Sequence, residues 1–395
     1  MKALVSRFCS YFISHWQTVT AYGAVFLGSA IMLLWRLGGL TGGYSANESA
    51  TLAASLSVHT IWDKLFDAPF YAVVHVLTYI TPHDLLATRL ASALVAWVGL
   101  VLFCILAYRW FGTRAALIGT ILFGCSSWFL HVGRLGVPQV MFLGVIALVA
   151  CGVWIREKRA GIAVILGLTL AGGLLYTPGM AWFVVLGLIW QWKHIDAAFR
   201  KHLGSVSIGA LIFLATLVPL AWRFYHTPSL IKVWLQLPAN WNQPLHFLHN
   251  LIDVPLAFFV RSPVNPEQWL GNLAILDIFT IIMFGLGAYI FCKYFKLARV
   301  KLVVGLAIVG SIVIAITGTV PLTALVPFAF MVVTAGADYV LEVWLHVFPR
   351  NPLARWLGIS LFGLVIAMAC VYNLRAYFVA WPQTTATRDV FTVHE

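Results

Sequence analysis

The sequence predicts an all-α polytopic membrane protein, and three observations carry that expectation. The chain of 395 residues is 62% hydrophobic with a mean hydropathy of +0.92, more apolar surface than a water-soluble fold of this size needs. Only 10% of its residues are charged. Apolar runs of about 17 to 25 residues, the length that crosses roughly 30 Å of hydrocarbon, recur from one end to the other.

About eleven such runs can be read, at 19–39, 86–108, 113–131, 136–155, 160–176, 178–192, 203–223, 269–292, 301–318, 320–341 and 355–377. Pro178 divides the fifth from the sixth, or kinks one longer segment. The opening MKALVSRFCSYFISHW is long and polar before its apolar run and lacks a small-residue cleavage site, so the first span reads as an uncleaved anchor. The net charge of +12 invites a nucleic-acid partner, yet 16 of the 25 Lys and Arg fall on the side of an assumed cytoplasmic N-terminus, at least two in every loop there. That alternation is the positive-inside pattern and implies anionic membrane lipids rather than nucleic acid. The location it suggests is the plasma (inner) membrane. None of the six cysteines forms a metal-ligand spacing, and they read as packing residues.

A single domain over 1–395 follows, with no separate soluble C-terminal domain after the last span. Two long outer segments remain, about 40–85 and about 224–268. In the first, YSANESATLAASLSVHTIW offers Ser45 or Asn47 as a helix cap, and DAPFYAVVHVLTYI places Asp67 ahead of Pro69. Two short amphipathic surface helices are expected. The second is dense in Pro, Trp, His and Asn, and its aromatics fit an interfacial belt.

Thirteen acids narrow the search for chemistry. Glu48, Asp63, Asp67, Asp84, Asp253, Glu267 and the tail residues Asp389 and Glu395 are expected to face outward. A carboxylate there can act as a general base or coordinate a divalent cation such as Mg or Mn, while basic groups hold a phosphate. Lys64, Arg89 in ATRLASAL and Arg134 in HVGRLG are the basic candidates, with snorkelling to the interface as the plain alternative for both arginines. His131, Tyr44 and Tyr176 are candidates for an outer cavity. Asp277 is expected about two turns inside the eighth span, where a carboxylate is functional or paired.

The order YSANES, DAPFY, TRLASAL and RWFGTRAALIGTILFGCSSWFLHVGRLG resembles the N-terminal half of the C-type glycosyltransferase superfamily, in particular its dolichyl-phosphate-mannose protein mannosyltransferase and aminoarabinose transferase-like branch. The resemblance covers roughly residues 30–190. It implies transfer of a sugar, hexosyl or pentosyl, from a polyprenyl-phosphate-linked donor to a lipid, glycan or protein acceptor on the outer membrane face, with inversion at the anomeric carbon. It also implies an Asp-Glu pair in the first outer loop, which stands here as Asn47-Glu48. Asn47 cannot accept a proton from a hydroxyl, so Glu48 inherits the base and metal role, or Asp67 takes the base. A second acid of the family stands here as Gln139. Arg134, Arg89, Lys64 and His131 would hold the donor phosphate, and Tyr44, Tyr176 and Gln139 would line the substrate cavity. A catalytically impaired scaffold or lipid-binding protein of the same fold is the alternative, ahead of a transporter or flippase, for which the internal repeats are lacking.

Overall fold

The computed structural model describes residues 2–81, 84–155, 160–237, 244–262, 267, 270–317 and 322–393. Its helices in chain order are α1 (Lys2–Leu34), α2 (Ala46–Ser55), α3 (Val58–Lys64), α4 (Ala68–Thr78), α5 (Asp84–Phe111), α6 (Thr113–Cys125) and α7 (Ser127–Arg134). A 3-10 turn (Pro138–Leu143) leads to α8 (Gly144–Ile155), α9 (Ala160–Leu174), α10 (Met180–Lys201), α11 (Leu203–His226), α12 (Leu230–Trp234) and α13 (Pro244–Phe259). Then come α14 (Ile278–Lys293), α15 (Ala298–Thr317), α16 (Leu322–Val347) and α17 (Pro352–Arg375), a π turn (Ala376–Ala380), α18 (Trp381–Gln383) and α19 (Thr385–Val390).

Every predicted run holds a helix, but the count of spans changes. Among the described residues seven helices are long and apolar enough to cross a bilayer, and α6 with α7 makes an eighth if the pair, bent by 62°, is one span. Helices α9 and α14, at 15 and 16 residues, fall short of the length a perpendicular crossing needs. The protein is a multi-pass helical membrane protein.

Burial sorts the spans. In α16, 78% of the apolar window is buried, against 11% for α1 and 17% each for α11 and the α17 segment, so α16 is the core and the others face lipid. Helix α14 can lie close to α16 because a Cβ added at Gly336 would stand 1.9 Å from the Met283 carbonyl oxygen; small residues permit such backbone approach in membranes, where packing takes the place of the hydrophobic effect. Asp277 caps α14 rather than lying inside it. Its Oδ1 accepts from the Thr280 N–H (2.9 Å) and its Oδ2 from Asn373 Nδ2 (2.7 Å), while Asn373 Oδ1 accepts from the Ser127 N–H (3.1 Å) at the α6–α7 bend. The acid is thus fully used in joining three helices.

The first long segment folds as three helices, not two. Ser45 starts α2 with a capping box, its hydroxyl accepting from the Glu48 N–H and the Glu48 carboxylate accepting from the Ser45 N–H. Ser57 builds a second box with Thr60, and this new cap divides α2 from α3. A turn at Leu65 and Asp67, both with positive φ (57° and 58°), then opens α4. Beyond α19 the chain returns to this segment: Tyr44 and Val393 exchange backbone hydrogen bonds of 2.8 and 3.0 Å.

Candidate functional site

Two clusters form at this end of the bundle. The first is a buried arginine centre. Arg89 from α5 and Glu48 from α2 are 3% and 0% exposed, and pair through Nε to Oε1 (2.7 Å) and Nη2 to Oε2 (2.8 Å). Glu48 Oε2 also accepts from the Ser45 N–H (2.9 Å) and Oε1 from the Gly136 N–H (2.9 Å). Gly136 is required for this approach, since a Cβ there would lie 2.2 Å from Thr88 Oγ1. Arg89 gives its remaining donors to the Leu37 and Gly43 carbonyls, and its guanidinium lies between the Tyr44 ring (4.2 Å) and the Phe391 ring (5.9 Å). Arg134 caps the end of α1, donating to the carbonyls of Met32, Leu33 and Trp35, where the helix dipole favours a cation.

These contacts correct the sequence expectation. Glu48, expected to act as base and metal ligand, has both oxygens engaged by Arg89 and by backbone N–H groups. Arg89, expected to hold a phosphate, gives its donors to Glu48 and backbone carbonyls, and Arg134, expected to do the same, gives both terminal nitrogens to the end of α1. Tyr44 covers Arg89. Tyr176 packs with Leu65 and Leu220 and donates its hydroxyl to the Thr216 carbonyl. His131 is 1% exposed and its Nε2 lies 3.2 Å from the Glu267 carbonyl oxygen.

The second cluster is a polar cavity of ≈ 300 Å³ lined by Asn47, Lys64, Asp67, Gln139, Gln236 and Glu267, among others. Four of these were expected from the sequence. The cavity floor comes from the first long segment, one wall from the 3-10 turn and another from the second long segment. Glu267 was legible as an acid facing outward, but nothing in the sequence joins it to this place. Its Oε1 accepts from Ser45 Oγ (2.6 Å) and its Oε2 from Asn47 Nδ2 (2.7 Å) across more than 200 residues. Asn47 therefore positions a carboxylate although it carries none.

Asp67 lines the cavity with a carboxyl set apart by its burial. Burial pushes its carboxyl up to about 7, and the Thr177 hydroxyl, close by without completing a hydrogen bond, pulls weakly the other way. Its Oδ1 is buried with no hydrogen-bond partner among the described residues. The left-handed backbone at Leu65 and Asp67 is a cost of order 1–3 kcal/mol for a residue such as Leu, and the Asp67 N–H holds the turn by donating to the Tyr176 carbonyl (2.9 Å). Tyr71, one turn on in α4 and also on the cavity wall, has its phenol pushed well up by burial first and by the Asp67 charge second. A carboxyl that changes charge near neutrality, beside an ammonium and a second carboxylate, is equipped to take or give a proton while an anion is held.

A divalent cation does not fit what stands here. Glu48 is spent on Arg89, both oxygens of Glu267 accept hydrogen bonds, and among the described residues no group of three or more His, Cys, Asp or Glu comes together. Hard cations want several charged oxygens.

No family model matches the chain, and no curated protein matches it in sequence. Solved structures do. The apo structure of ArnT from Cupriavidus metallidurans superposes with a TM-score of 0.53 at 13% identity, covering 94% of this chain and 76% of that one. The same protein bound to undecaprenyl phosphate gives 0.54 at 14% identity, over 93% and 76%. The archaeal oligosaccharyltransferase AglB from Archaeoglobus fulgidus, in complex with an inhibitory peptide and a dolichol-phosphate, gives 0.56 at 13% identity; this chain spans 94% of itself and 56% of AglB. The chain shares its fold with ArnT and AglB.

Proposed function

We propose that the chain is a membrane glycosyltransferase that moves a sugar from a polyprenyl-phosphate carrier to a lipid or glycan acceptor in the cavity between its two long segments. The observation that carries the reading is Asp67, a carboxyl that ionises near neutrality in a polar cavity with Lys64, on a fold it has in common with ArnT bound to undecaprenyl phosphate and AglB bound to dolichol-phosphate. The skew of cations to the loops at the opposite end supports an outward-facing cavity.

In the reaction, the acceptor hydroxyl gives its proton to the Asp67 carboxylate while its oxygen attacks the anomeric carbon. The bond from that carbon to the phosphate oxygen breaks, the electron pair leaves with the phosphate, and Lys64 takes up the developing charge. Direct displacement inverts the carbon. Glu267, fixed by Ser45 and Asn47, orients acceptor hydroxyls from the facing wall. Purified protein incubated with radiolabelled polyprenyl-phosphate sugars tests the proposal: release of sugar from at least one donor supports it. Absence of turnover with every donor would favour the scaffold reading, which the withdrawal of Glu48 into the arginine centre otherwise motivates.

A further inference from the structure

A small cavity of ≈ 10 Å³ borders the arginine centre, and Arg89, Thr41, His131, Arg134, Tyr377 and Trp381 are its polar lining. Three atoms of these side chains, Arg134 Nε, Trp381 Nε1 and His131 Nδ1, are buried without a hydrogen-bond partner among the described residues. Their residues are 3%, 5% and 1% exposed. An unmade hydrogen bond in such a place is costly, so three on residues that line one small hole point to a shared ligand.

The donor and acceptor count says which ligand. Because His131 Nε2 faces a backbone carbonyl, which only accepts, Nε2 carries the ring proton and Nδ1 of the neutral ring is a lone pair. Arg134 Nε and Trp381 Nε1 only donate. The ligand must therefore accept twice and donate at least once. Water does both, whereas a halide or other simple anion would meet the Nδ1 lone pair with nothing to offer it. Charge does not call for an anion either, because Arg134 already rests on three carbonyls at the negative end of α1. The volume is about that of one water-sized sphere.

We infer that this cavity is a hydration site for a single water, which accepts from Arg134 Nε and Trp381 Nε1 and donates to His131 Nδ1. The water joins the segment after α17 to α7. Trp381 also packs edge-on against Phe391, the ring that covers Arg89, and His131 holds the second long segment at Glu267. One water thereby links the C-terminal segment, the arginine centre and a wall of the large cavity.

The test is an experimental structure at a resolution that shows ordered water, determined with and without bromide, together with thermal unfolding of two variants. Trp128 supplies the control, since its Nε1 is likewise buried and unpartnered but lies outside this cavity. The expected result is one density peak within hydrogen-bonding distance of all three atoms, no anomalous bromide signal, and a Tm lowered by at least about 2 °C in Trp381→Phe with Trp128→Phe unchanged or raised. A cavity without density, a bromide peak inside it, or equal Tm values for the two variants would overturn the assignment.

Discussion

Glu48 and Asp67 belong to one loop, each stands at the start of a short helix, and the fold treats them in opposite ways. Glu48 is completely enclosed, and its two oxygens meet two guanidinium nitrogens and two backbone N–H groups. Asp67 keeps one edge on a cavity and has an oxygen with no partner among the described residues. A buried carboxylate whose lone pairs are satisfied has no chemistry left to offer; one that is desolvated and unsatisfied is held ready to bind a proton. On the proposed function, cohesion falls to Glu48 and proton transfer to Asp67.

The largest effect expected from breaking this division is on stability. Glu48→Gln leaves the Arg89 guanidinium charged and unpaired in the interior, a loss of about 3–5 kcal/mol, and chemical or thermal unfolding of the variant in detergent should show it as a steep drop, with protein recovered in lower yield. Asp67→Asn should do the reverse at alkaline pH. Because the folded carboxyl titrates at about 7 against an ordinary 3.8, the native state binds the proton more tightly than the unfolded chain. Its contribution is therefore neutral below about pH 4, grows steadily more unfavourable between about 4 and 7, and stays constant above. The variant should melt above wild type at pH 8, and the gap should shrink towards pH 5.

The same titration sharpens the contrast in activity. Transfer should rise with pH through about 7 and level off, since only the ionised Asp67 accepts the acceptor's proton; initial rates between pH 5 and 9 report it. The smallest effect is at Lys64. Lys64→Met removes a cation from an open cavity wall, and the expected change is roughly a tenfold fall in kcat/KM for the lipid-phosphate donor, about 1.4 kcal/mol, with Tm unmoved.

Much of the fold could be read in advance because membrane spans announce themselves by length and hydropathy, and every expected run holds a helix. The bend at Ser126 was hidden, since a hydroxyl that caps its own chain looks like any other serine in a span. The division of the first segment into three helices rests on Ser57 and Thr60, a capping pair whose signal is short and easily passed over beside a longer apolar pattern. At the site, Lys64, Asp67, Asn47 and Gln139 were legible as polar residues near one membrane surface. Which carboxylate would be buried against an arginine was not, because Glu48 and Asp67 differ only in what long-range packing brings to them. Glu267 was out of reach for the same reason: its partners lie in a loop on the far side of the sequence.

On the proposed reaction Asp67, and not Glu48, takes the acceptor's proton. The most direct measurement is the initial rate of sugar release at pH 8 from the best polyprenyl-phosphate donor, comparing wild type with Asp67→Asn after both are shown to be folded. The expected rate is lower by about 10²–10⁴ in the variant, the usual share of a general base. Equal rates in the two proteins would contradict it.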